Sequence, residues 1–104
     1  MDFKVIWTPR GLETLRSALE YVAELNPDAA ARLGSSILKS VGRLGQFHLL
    51  GHVFNKLGRD DVREIPVRPY RIFYRVIEPH RVVYVLTVWH GARQEPDFQS
   101  DEIQ

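Results

Sequence analysis

The residues that could do chemistry gather in the second half of this 104-residue chain. The stretch "VLTVWHGARQ" ends an apolar run in His90, Gly91 and Arg93, and Lys56, Arg63, Arg71 and Arg75 precede it. Cleaving RNA from its own 2′-hydroxyl without a metal requires a proton acceptor, cations for the phosphate and a proton donor for the leaving oxygen. An imidazole, with an ordinary pKa near about 6.5, serves in either direction at neutral pH. His90, Arg63 and Arg93 are the catalytic candidates on this reading. Lys56, Arg68, Arg71, Phe73, Arg75 and Arg81 are the candidates for holding a nucleic acid or another target, with Tyr70 and Trp89 as further stacking rings. A purely structural reading competes at each position. His90 is then a strand-terminal histidine donating to a backbone carbonyl, Phe73 and Trp89 are sheet packing, and the arginine stems cover apolar surface.

Other chemistries find little support. No cysteine is present, so disulfides, thiolate-bound zinc and thiol nucleophiles are excluded together. Gly-rich phosphate loops, HExxH and G-x-S-x-G are missing, and His48, His52 and His80 are spread over a loop, a doubtful strand and a turn. No metal and no cofactor is expected. No apolar run approaches the roughly 18 residues that span a bilayer, and "MDFKVIW" lacks the layout of a signal peptide. A cytoplasmic protein without membrane contact is the expectation.

The net charge of +1 conceals a division. Arg63, Arg68, Arg71, Arg75, Arg81 and Arg93 face only Glu64 and Glu78 within residues 63–93, a balance of +4. The following residues, 94–104, hold Glu95, Asp97, Asp101 and Glu102 with no base, a balance of −4. Arginine's planar fork suits phosphate and carboxylate groups. The segment 94–104 reads as an acidic, frayed C-terminal tail on a single domain of residues 1–104.

The elements that must position these residues follow from punctuation and period. "FKVIWT" alternates as a short strand. Thr8 then caps and Pro9 opens a helix carrying Leu12, Leu15, Leu19 and Val22, which runs to about Leu25. Asn26 and Pro27 repeat the signal for a second helix with Ala30, Leu33, Ile37, Val41 and Leu44 on one stripe. So short a joint folds the pair into an antiparallel hairpin. "GQFHLLG" is the exit loop, "HVFNKL" a short strand, and "VREIPV", "YRIFYRVI" and "RVVYVLTVW" are three strands separated by turns. "EPHR" offers a β-turn with Pro79 at its second position. In the second of these strands Ile72, Tyr74 and Val76 share one face, and Arg71, Phe73 and Arg75 the other. The last strand is apolar on both faces, which predicts an interior position. The fold class is α+β: an N-terminal strand, a two-helix hairpin, then a three- to four-stranded, mainly antiparallel twisted sheet.

Taken in order, "TPRGLETLRSALEYVAELNPDAAARL", "VREIPVRPYRIFYRV" and "VVYVLTVWHGARQ" resemble the RelE/ParE superfamily of type II toxins, over about residues 3 to 94. The resemblance implies a toxin neutralised by a cognate antitoxin in a hetero-oligomeric complex, with a plasmid-stabilisation role among relatives. It also implies one of two targets: DNA gyrase, inhibited without chemistry by ParE-like members, or mRNA on the translating ribosome, cut without metal by RelE-like endoribonucleases. By the same resemblance Arg63 matches a nuclease arginine, Lys56 lies near a nuclease lysine, and His90 stands where some ribosome-dependent relatives place a histidine. Gly91 replaces an arginine of that set, and Phe98 is the nearest residue to its C-terminal tyrosine. These departures and the "VWHGARQ" ending lean the expectation toward gyrase, with the mRNA interferase and a nontoxic nucleic-acid-binding member as alternatives.

Overall fold

The computed structural model describes residues 2–93 together with Pro96 and Phe98. The remainder of the expected acidic tail lies outside the described residues. The chain runs β1 (Lys4–Trp7), α1 (Pro9–Leu25), α2 (Pro27–Gly42), β2 (His52–Val53), β3 (Val62–Val67), β4 (Tyr70–Ile77) and β5 (Val82–His90). Both helices begin as the sequence predicts. The Thr8 hydroxyl accepts from Gly11 N–H and the Asn26 side chain from Ala29 N–H, each followed by proline at the first helical position. These caps satisfy helix N–H groups that would otherwise have no partner. Asn26 is also the whole joint between the helices, ending α1 as it caps α2.

All five strands form one sheet in the order β1-β5-β4-β3-β2, slightly more than the three to four expected. β1 pairs in parallel with β5, and the other pairs are antiparallel. The predicted "HVFNKL" strand shrinks to His52–Val53, because Asn55–Leu57 turns into a 3-10 helix that closes at Gly58 with φ of 64°. β5 is interior, as its two apolar faces demand. The "EPHR" turn closes with Arg81 N–H donating to Glu78 C=O.

The helices cover one face of the sheet. Ile37, Val41 and Leu44 meet Ile65, Ile72, Tyr74, Val76, Val83 and Val85 there. On α1, Gly11 and Ala18 are the most deeply buried residues and Leu15 packs against the core beside them, while Leu12, at the start of the leucine stripe, is 53% exposed. The cause is the edge of β5. β1 covers that edge only as far as Val85, and α1 takes over from there. The Thr8 hydroxyl donates to Val85 C=O at 2.7 Å, and Val88 N–H donates to the Thr14 hydroxyl at 2.8 Å. So close an approach selects small residues. A Cβ on Gly11 would overlap the Val85 carbonyl oxygen.

Opposite the helices, a second cluster of Phe54, Val62, Phe73, Leu86 and Phe98 packs on the sheet. A bulge sets its shape. Phe73 faces Thr87 while Tyr74 faces Val85, so the intervening Leu86 joins Thr87 on the Phe73 side. The exit loop is held by its backbone. The Tyr74 hydroxyl accepts from Gly51 N–H and donates to His48 C=O, and the Phe3 and His48 rings stack at 3.8 Å.

Two substitutions test this framework. Gly11→Ala forces α1 off the β5 edge, and overpacking of this kind costs about 1–3 kcal/mol; equilibrium urea unfolding should show the loss. Tyr74→Phe strands a loop N–H and a C=O, and the same measurement should record a loss of about 1–3 kcal/mol. An unchanged midpoint in either variant would contradict the contact assigned to it.

Candidate functional site

β5 ends against the antiparallel partner that positions its polar exit. His90 lies opposite Tyr70 in the β4–β5 register, and their rings meet edge to face at 5.3 Å. The His90 Nδ1 accepts a hydrogen bond from Ala92 N–H at 3.2 Å. It is thus an acceptor for the chain that follows, not a donor to a carbonyl. Gly91 N–H donates to Pro69 C=O, where a Cβ would come within 2.9 Å of that oxygen, so this position favours glycine. Arg93 folds back with its guanidinium 5.8 Å from the Trp89 ring centre.

Past Thr14, α1 and β5 part and leave a cleft of about 570 Å³. Thr14, Ser17, Tyr21, Tyr70, His90 and Arg93 supply its polar lining. A second cavity of about 530 Å³ continues it between the helices and the β3–β4 turn, sharing Tyr21, Tyr70 and His90 and adding Arg32 and Arg68. Burial pushes the Tyr70 phenol above its ordinary pKa, Tyr21 adds to the rise and Arg93 opposes it, so the phenol is a neutral donor at physiological pH.

The structure thus unites His90, Arg93 and Arg68, and separates the other candidates from them. Arg63 faces the helices beside Tyr74, where its Nη1 donates to the carbonyls of Leu49 and Gly51. Four positions along β4 and two strand spacings place it roughly 16 Å from His90. It braces the exit loop rather than joining His90. Lys56 is exposed in the short turn after β2, and Arg81 sits in the β4–β5 turn with φ of 53°.

Arg71 and Arg75 lie on the open face as expected, but both are committed to carboxylates. Arg71 grips Glu64 through two hydrogen bonds of 2.7 and 2.9 Å, and Arg75 donates to Asp61 at 2.9 Å. Phe73 cannot stack on a base: it is fully buried beneath Phe54 and Phe98, with the Arg71 guanidinium 5.0 Å from its ring centre. Residues from distant elements roof it over, which its place on an outward face could not reveal. Tyr21 and Arg32 were missed by the sequence reading. Their signal is modest: an aromatic outside the leucine stripe of α1, and a charge ending the alanine run of α2. Among the described residues no cluster of side chains able to hold a metal ion forms.

Asp61 accepts from Arg59 as well as Arg75, and the Arg59 contact, aided by Arg75, outweighs burial and lowers its pKa. A carboxylate whose pKa is depressed by folding stabilises the fold above its unfolded value, near about 4, and loses that contribution as pH falls through the folded value. The urea midpoint of the wild type should therefore exceed that of Asp61→Asn at pH 7. The gap should close on acidification from about pH 4 downward; a gap that persists or widens there would refute the pairing.

Residues 5–95 match the family described as the ParE toxin of type II toxin-antitoxin system, parDE. A Sinorhizobium fredii protein named "Putative toxin Y4kP" is 34% identical over 96 residues, covering 89% of this chain and 93% of its own length. "Toxin RelE2" of Caulobacter vibrioides is 29% identical over 91 residues, covering 86% and 97% respectively. Among solved structures, a chain of the chromosomal ParDE toxin–antitoxin system of P. aeruginosa superposes with a TM-score of 0.69 at 20% identity, over 85% of this chain and 95% of that one. That likeness shows the fold, and the family match carries the assignment. This chain belongs to the ParE toxin family of type II toxin–antitoxin systems.

Proposed function

We propose that the protein arrests growth by binding DNA gyrase, without cleaving RNA, and that a cognate antitoxin neutralises it in a hetero-oligomeric complex in the cytoplasm. The observation that carries this reading is the state of the cations a nuclease would use. Arg71 and Arg75 are bound to Glu64 and Asp61, Arg63 holds a loop, and His90 lies roughly 16 Å from Arg63. Phosphoryl transfer needs an acid, a base and cations within reach of one phosphate. The catalytic set read from the sequence, His90, Arg63 and Arg93, is therefore not brought to one phosphate: His90 and Arg93 meet in the cleft with Arg68 in its continuation, and Arg63 lies outside both.

The antitoxin partner is supported by family membership and by the fold shared with a chain of the ParDE toxin–antitoxin system. The resemblance of "Toxin RelE2" keeps an mRNA interferase as the alternative outcome. Among the described residues no helix is long and apolar enough to cross a membrane.

Purified protein should block ATP-dependent supercoiling of relaxed plasmid by gyrase, and transcripts should stay intact while induced cells stop growing. Growth should resume when the antitoxin is co-expressed. Normal supercoiling at a large excess of toxin would overturn the gyrase reading. Codon-phased cuts in translated mRNA that disappear in His90→Ala would replace it with the interferase.

A further inference from the structure

The cleft beside β5 and its continuation under the β3–β4 turn form one groove around Tyr21, Tyr70 and His90. Its charge is one-sided. Arg93 lines the first cavity, Arg32 and Arg68 the second and His90 both, and no carboxylate or carboxamide lies among the described lining residues of either. Arg32, Arg68 and Arg93 are all exposed. This contrasts with the open face, where Arg71 and Arg75 are already neutralised.

We infer that this groove binds a single strand of nucleic acid, with Arg93 and His90 at one phosphate, Arg32 and Arg68 at a neighbouring phosphate, and the Tyr21 ring stacked on the base between them. Tyr21 is 63% exposed and, with Tyr70 and His90, lines both cavities, so Arg93 of the first and Arg32 and Arg68 of the second flank a shared stretch that carries an exposed ring. That arrangement matches phosphate, base, phosphate, the pattern by which proteins hold single strands without reading sequence.

Hydrogen-bond polarity separates this ligand from an acidic peptide. A phosphodiester backbone offers only acceptors, whereas a peptide also brings N–H donors that need partners. The groove's side chains are donors, or hydroxyls that can donate: arginines, tyrosines, Ser17 and His90. With Nδ1 accepting from Ala92 N–H, Nε2 is the His90 ring nitrogen left to donate. The inference does not depend on gyrase being the target, since it concerns the groove and not the inhibited enzyme.

The test is fluorescence anisotropy of the purified full chain with fluorescein-labelled dT10 and rU10 at low salt, followed by a KCl titration. At least one strand should bind, and the tighter of the two identifies DNA or RNA as the source. Tyr21→Ala should weaken binding about tenfold or more. Arg68→Ala with Arg93→Ala should reduce the slope of log affinity against log salt by about 1.4, at about 0.7 per lost phosphate contact. Lys4→Ala, at the opposite end of the sheet, should stay within about twofold, and thermal melts should confirm that every variant is folded. The inference fails if neither strand binds, or if binding survives both sets of substitutions. It fails equally if a glutamate-rich decapeptide binds the groove and the oligonucleotides do not. Gyrase supercoiling measured on the same preparations reports separately on the proposed target.

Discussion

The edge of β5 is the contact on which the rest of this structure depends. β1 pairs with that edge only from Val82 to Val85, and an uncovered strand edge is both a desolvation cost and a template for aggregation. Thr8, Gly11 and Thr14 solve the problem with a helix instead of a sixth strand. Thr8 meets the Val85 carbonyl, Thr14 receives the Val88 N–H, and Gly11 lets the backbones approach closely enough for both. This seam fixes the position of α1, and through the single Asn26 joint it fixes α2 as well. Where the seam ends, α1 and β5 separate, and the polar groove begins.

The two faces of the sheet consequently carry different chemistry. The helix side is an apolar core whose far end opens into a groove lined by cations and phenols. The other side is a smaller aromatic cluster with its arginines turned inward onto carboxylates. Half-buried pairs such as Arg71–Glu64 hold β3 and β4 in register, and they remove those arginines from the pool that could meet a phosphate. A segment that reads as uniformly basic is thus divided into braces and binding groups.

Local signals made much of the fold legible. Thr8-Pro9 and Asn26-Pro27 marked both helix starts, alternation in Tyr70–Ile77 sorted the faces of β4, and Glu78-Pro79-His80-Arg81 marked the turn. What escaped depends on contacts between elements. The leucine period of α1 marks a helix but not the seam at its start, where the β5 edge demands Gly11, a residue that no apolar pattern singles out. Phe73 was assigned to a target because its cover comes from Phe54 and Phe98, 19 and 25 positions away. The pairing of Arg63 with His90 failed for a similar reason. Both belong to the same basic segment, but strand register puts them at opposite ends of the sheet. His90 and Arg93, three positions apart in sequence, line the same cleft.

The parallel pairing of β1 with β5 also orders events during synthesis. Lys4 finds its partner Val82 only after the intervening chain has been made, so the first strand emerges long before its neighbour exists. Contacts of such sequence separation form late and slowly. Until β5 leaves the ribosome, α1 has no edge to cover and no groove can form. A chain interrupted before Val82 lacks the strand that both β1 and β4 pair with, and with it His90 and Arg93. Synthesis through β5 is therefore a built-in checkpoint, and copies terminated before it lack both the sheet's interior strand and the groove beside it.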